Sequence, residues 1–216
     1  MKIISLSYED AGYACSIGTS IKKKYNQQTN FFDFLVVDMR TINHIITLKD
    51  LNLLTQNFKF EDQTKKENKT LIWNHFSKMI SYHDLKSNFN EESLKEFTNK
   101  YLRRYYRLMN DLYNEEKLFF IRYGKTNIND VKLLIQNIKN IKNINQNQNQ
   151  NQKIFFINID FDKNNKENIF YPELKNYIYI NFCQVNKKDL NNDDIYFQLL
   201  ECNWEYVFQK IEELSK

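Results

Sequence analysis

One of the chain's three cysteines stands where a thiol becomes reactive. Cys15 falls in the first turn of a helix predicted from Ala14, Ile17, Gly18 and Ile21, which recur at i, i+3, i+4 and i+7 and share one face. Unpaired backbone N–H groups and the positive end of the helix dipole favour the thiolate at such a position. At about 100° per residue Cys15 lies on the flank of that face, so its sulfur points toward the preceding loop and not into the core. The competing reading is a free cysteine acting as a small buried hydrophobe, which is how the residue type usually behaves. Cys183, in a predicted strand, and Cys202, in a predicted helix, lack the helix-start position. His83 and Asp84 close the apolar run Met79 to Leu85, at the kind of strand end that sheet enzymes favour for working residues. Asp33 is embedded in Phe31-Phe32-Asp33-Phe34. A carboxylate among aromatics is costly to bury unless paired or hydrogen-bonded, so Asp33 is either turned outward at a strand end or held by specific donors.

The elements that must hold these residues follow from hydrophobic periodicity. Ile3 to Ser7 reads as a buried strand, Tyr8 to Gly12 as a loop, and Lys22 to Asn30 as a polar loop after the first helix. Residues 31–37 form a second apolar run, and Asp38 is placed to cap a helix carrying Ile42, Ile45, Ile46 and Leu53 that ends near Leu54. His44 lies in that helix and reads as a surface or satisfied helix residue and not as a ligand. Phe58 and Phe60 alternate as in a short strand. Leu71–Phe76 and Met79–Leu85 read as strands able to pair as a hairpin. Asn90 caps the strongest helix, with Glu91 and Glu92 complementing its dipole and Leu94, Phe97, Tyr101, Tyr105, Leu108 and Leu112 as its apolar stripe. Arg103, Arg104 and Arg107 lie off the centre of that stripe.

Further on, residues 117–123 predict a buried strand, and Ile128, Val131, Ile135 and Ile138 a helix. Ile154–Asp160 and Tyr177–Phe182 predict two more strands, and residues 193–214 an amphipathic helix broken near Asn203. Continuous apolar strands alternating with helices predict an α/β fold, a three-layer sandwich with a mainly parallel central sheet flanked by helices. The expected organisation is a single domain over residues 1–216, with a low-complexity Asn/Gln loop at about 143–152.

Composition narrows the function classes. The chain is 42% hydrophobic and 15% aromatic, enough for a sizeable core, while three Gly and one Pro argue against an all-β fold dense in tight turns. A net charge of +4, with acids interspersed among the bases, is not the one-sided surface of a nucleic-acid binder. The basic runs that stand out are Lys22-Lys23-Lys24 and Arg103-Arg104-Arg107. An odd cysteine number without CxxC spacing, and three scattered histidines, give neither a disulfide framework nor a zinc site. No GxGxxG or GxxxxGK[ST] is present, so no dinucleotide or NTP loop is expected, and no cofactor is implied. The absence of a signal peptide and of an 18-residue apolar run gives the expectation of a cytoplasmic protein with no membrane span.

Taken in order, the motifs resemble those of a family of papain-like cysteine peptidases often found beside glycosyltransferases and polysaccharide genes. The resemblance rests on Ile4-Ser5-Leu6, Cys15 with Ile21, Phe32-Asp33-Phe34, Tyr82-His83-Asp84, Tyr101-Leu102-Arg103-Arg104 and Leu118-Phe119-Phe120, and covers about residues 3–125. The chain departs from the family pattern at Ser7, where Gly is usual, at Phe31, where Pro is usual, and at Phe34, where Trp is usual. The resemblance implies that Cys15 is the nucleophile, His83 its base, and Asp33 or Asp84 the group that orients the imidazole.

Two functions of different classes follow. The first is a cysteine-dependent hydrolase, a peptidase or acyl-transfer enzyme acting on a peptide, acyl or glycan substrate. It needs a thiolate, an imidazole within reach, a third group on the far ring nitrogen and donors for an oxyanion, which the start of the Cys15 helix can offer. The second is a non-catalytic accessory or binding domain in glycan assembly, partnered with a glycosyltransferase, in which Arg103, Arg104 and Arg107 meet an anionic ligand.

Overall fold

The computed structural model describes residues 1–6, 14–48, 58–62, 70–74, 79–81, 90–123, 126–143, 152–160, 177–181 and 204–216. In chain order its elements are β1 (Lys2–Ser5), α1 (Ala14–Tyr25), β2 (Leu35–Val36), α2 (Met39–Thr47), β3 (Phe58–Asp62), β4 (Thr70–Asn74), β5 (Met79–Ser81), α3 (Glu91–Asn114), β6 (Lys117–Tyr123), α4 (Ile128–Asn143), β7 (Lys153–Asp160), β8 (Tyr177–Asn181) and α5 (Trp204–Ser215). No helix among the described residues is long and apolar enough to cross a membrane.

The chain is a mixed α/β protein whose strands fall into two sheets. The apolar runs read as buried strands pair in parallel, in the order β1-β6-β7-β8. Ile3 lies opposite Phe119, and Phe119 opposite Phe155, with those two rings stacked 4.6 Å apart. The second sheet is wholly antiparallel, in the order β2-β5-β4-β3. It contains the expected hairpin of β4 and β5 and the short strand around Phe58 and Phe60. The strands are thus divided between a parallel and an antiparallel sheet, where the alternation along the sequence predicts one mainly parallel sheet. Connection length explains the β4–β5 part of this, while β2 meets β5 across a long stretch of chain. Parallel pairing needs a crossover of a dozen or more residues, while β4 and β5 are joined directly and can pair only antiparallel.

Because side chains alternate along a strand, the parallel sheet divides its apolar residues between two buried clusters. Ile3, Phe119, Ile121, Tyr123, Phe155, Ile157 and Ile159 join Ile17 and Ile21 of α1 and Trp204, Val207, Phe208 and Ile211 of α5. Ile4, Leu118, Phe120, Ile154 and Phe156 join residues of α2, α3 and α4, together with Phe31, Phe32, Leu35 and Met79. The second cluster therefore also receives β2 and β5 of the antiparallel sheet.

Helix ends follow the sequence closely. Asp38 accepts from the Thr41 N–H at 2.6 Å, and Asn90 from the Ser93 N–H at 2.8 Å, as N-caps of α2 and α3. Three boundaries differ from expectation. α2 ends at Thr47, with extended Leu48 as its C-cap, and not near Leu54. α1 continues to Tyr25, through residues whose polarity reads as loop, because Lys22, Lys23 and Lys24 occupy exposed positions that complement its C-terminal dipole. Asn143 completes α4, and Gln152 donates its side-chain amide to the carbonyls of Leu112 and Glu115 at the end of α3. The Asn/Gln tract is therefore anchored at both margins, while residues 144–151 lie outside the described residues.

Candidate functional site

The candidate site grows from the way the chain returns after α1. Asn26, at φ 52°, adopts the left-handed conformation that asparagine tolerates, and its N–H donates to the Lys22 carbonyl, closing the helix. The chain then runs along the free edge of β1. Gln27 accepts from the Ile3 N–H, and the Asn30 side chain donates to the Ser5 carbonyl. This return covers an edge that would otherwise carry unpaired backbone groups.

Phe31 and Phe32 then plunge into the core, both fully buried, and Phe31 meets Tyr101 and Tyr105 of α3 edge-on at 5.7 and 5.9 Å. That anchoring carries Asp33 inside with them, 4% exposed. Asp33 lies in a turn, and β2 begins only at Leu35; the strand-end position expected for it is not observed. Of the two alternatives open from sequence, it is the second that holds: Asp33 is held by donors. Its Oδ2 accepts from the Asn30 N–H at 2.6 Å, while Oδ1 has no hydrogen-bond partner among the described residues. Burial drives its pKa up from 3.8 to about 6, against the opposing pull of the Asn30 amide, the Arg104 guanidinium, the Ser5 hydroxyl and Lys2.

The carboxyl group rests on α1 itself. A β-carbon added at Gly18 would meet Asp33 Oδ1 at 2.5 Å and Cγ at 2.6 Å, so a side chain at this helix position forces the carboxyl group to move. Gly18 is therefore required for close approach and not for backbone freedom. It stands three residues beyond Cys15, and residues three apart lie one above the other on a helix surface, with Cβ positions about 5–6 Å apart. Position 15 is in the first turn of α1, as its spacing predicts. Asp33 and the Cys15 backbone are thus brought to one side of α1, a turn apart. Ser5 and Leu6, at the carboxyl end of β1, complete the vicinity, and both are fully buried.

His83 and Asp84, and with them the other two cysteines, lie outside the described residues. The nearest described residue is Ser81, the last of β5, which pairs with Leu35 of β2. His44 is an exposed residue of α2, the first of the two placements open to it from sequence.

Three positions with evident roles are not singled out in these terms by sequence. Gly18 is read as part of an apolar stripe. Arg104 is buried at 8% exposure, although its charge suggests a solvated face. The available signal is its register, since position 104 follows Phe97 by seven and precedes Leu108 by four, within the stripe itself. Arg122, 1% exposed near the carboxyl end of β6, donates to the carbonyls of Leu6 at 2.9 Å and Val37 at 3.2 Å. A base inside a run of buried strand residues is its signal. It ties the segment leaving β1 toward Cys15 to the segment leaving β2.

No protein family, curated protein or solved structure matches the chain.

Proposed function

We propose that the protein is a cysteine-dependent hydrolase of the papain-like kind that its motifs resemble, with Cys15 as nucleophile, His83 as base and Asp33 as the orienting carboxylate. The observation that carries this reading is the seating of the Asp33 carboxyl on Gly18, one turn from Cys15, with Oδ1 open to a further donor. A buried acceptor without a partner is costly, and an imidazole N–H would satisfy it.

Chain connectivity supports the third member. Leu35 and Ser81 are register partners, Asp33 lies two residues before Leu35, and His83 two residues after Ser81. At 3.3–3.6 Å per extended residue, His83 Cα stays within roughly 7 Å of Ser81 Cα. Asp84 follows one residue later and is the alternative orienting group. The start of α1 would offer N–H donors to an oxyanion. The finer architecture proposed with this site is a three-layer sandwich, with α1 and α5 covering one side of the parallel sheet and α2, α3 and α4 the other.

Alkylation by iodoacetamide, followed residue by residue by mass spectrometry across pH, tests the site without knowledge of the substrate. Cys15 should label before Cys183 and Cys202, with a midpoint below the roughly 8.5 of a free thiol. His83→Ala and Asp33→Asn should each raise that midpoint. Earlier labelling of Cys183 or Cys202 in the folded protein would remove Cys15 as the nucleophile and leave the accessory role in glycan assembly as the better reading.

A further inference from the structure

A cavity of about 360 Å³ opens between the end of α1 and α3. Its walls are Lys22, residues 26–29, and Lys100, Arg103, Arg104 and Arg107 of α3. Five of these side chains are cationic and none is a carboxylate. The C-terminal dipole of α1 contributes only about half a negative charge nearby. The cavity is therefore strongly positive.

Arg104 distinguishes this cavity from a solvated basic helix face. It is 8% exposed, and its Nη1 is buried with no hydrogen-bond partner among the described residues. The Asp33 carboxyl acts on it through space, but no described carboxylate comes within ion-pair distance. Its guanidinium stands 5.1 Å from the centre of the Tyr101 ring, which fixes it by cation–π attraction, and Tyr101 is in turn held by Phe31. A buried guanidinium nitrogen without an acceptor is expensive, and the planar fork of arginine is well matched to a pair of phosphate oxygens. Across the cavity, Arg107 donates to the Thr29 carbonyl at 3.0 Å, which holds the 26–29 wall against α3.

We propose that this cavity binds a small-molecule diphosphate, with Arg104 as the buried fork and Lys22 and Arg103 as rim charges. The size fits: at about 30 Å³ per water the space holds on the order of ten waters, at the lower end of small-molecule sites. Arg104, Lys22 and Arg103 together carry more charge than a single phosphate group neutralises, which selects a diphosphate over a monophosphate. The site does not depend on Cys15, so it stands or falls separately from the hydrolase reading.

Isothermal titration of the full chain with inorganic pyrophosphate, at a fixed ionic strength of about 0.15 M, tests it. Pyrophosphate should bind saturably and more tightly than orthophosphate or sulfate. Arg104→Met should weaken binding by roughly tenfold or more, the scale of a lost charged hydrogen bond. Arg104→Lys should fall between, because it keeps the charge and loses the fork. Arg103→Gln and Lys22→Gln, both at exposed positions, should each weaken binding several-fold, and they keep the test decisive if Arg104→Met does not fold. Lys139→Gln, on the exposed side of α4, should bind as wild type. Pyrophosphate binding no tighter than sulfate, or unchanged in the arginine variants, would overturn the site. Equal affinity for orthophosphate would overturn the diphosphate assignment, and tighter binding of a single-stranded oligonucleotide would replace it with a nucleic-acid surface.

Discussion

At the scale of single residues, Asp33 and Gly18 form a unit that neither suggests alone. Replacing Gly18 by Ala sets two effects against each other. Alanine gains up to about 1 kcal/mol of helix propensity over glycine. Its β-carbon also collides with a carboxyl group that the Asn30 N–H holds in place, and overpacking of this kind costs about 1–3 kcal/mol. The collision wins, so Gly18→Ala should destabilise in urea titrations. In an Asp33→Ala background the same change should become stabilising, and a sign that does not reverse would show the contact to be slack. Asp33 also gives stability a pH signature. The folded state holds this proton up to about pH 6 and the unfolded chain only to 3.8. Between those values the folded state binds more protons, so this contribution is full below about pH 4 and is lost as pH rises through about 6. Asp33→Asn should therefore gain on wild type by up to about 3 kcal/mol between pH 4 and 7. A stability difference that stays level across that range would refute the assignment. Sequence identified Asp33 as a residue that needs donors. It did not identify Gly18 as its seat, because a glycine on an apolar stripe looks the same whether it faces a methyl group or a carboxylate.

At the scale of elements, local chemistry was legible and pairing was not. Asp38 and Asn90 cap where their side chains and the following periodicity put them, since capping depends on residues only three apart. The stripe of α3 was legible for the same reason, except at Arg104, whose charge suggests solvent while its register places it in the stripe. The separation into two sheets was hidden because it depends on which distant strands meet, a choice that the periodicity of one strand does not carry. Gln152 is a related case. Composition assigns it to a polar tract, yet its amide serves two carbonyls left open at the end of α3. Gln152→Ala should cost about 1–2 kcal/mol, whereas exchanging residues 145–151 for serine at equal length should change the melting temperature little. A larger loss from the serine exchange would assign the anchoring to the tract and not to its last residue.

At the scale of the whole molecule, the two ends of the described chain meet at one corner. The Met1 amino group pairs with Glu115 at 2.7 Å, Lys2 with Asp111 at 2.9 Å, and Lys117 donates to the Ser215 carbonyl. Sequence offered the strands that build this arrangement but not their order, and the order has a consequence in time. β1 finds its only described ladder partner in β6, more than a hundred residues later. At ribosomal rates of about 5–20 residues per second, the first strand waits on the order of ten seconds for that partner to be synthesised. During that interval all four strands of the antiparallel sheet, which lie between Leu35 and Ser81, have already been made and need only shorter closures. The sheet that carries β2, and with it the turn holding Asp33, can therefore assemble while β1 is still an unpaired apolar strand. The antiparallel sheet can thus precede the parallel one, and α1, which carries both the Gly18 seat of the acid and Cys15, is fixed over the parallel sheet only when β6 arrives.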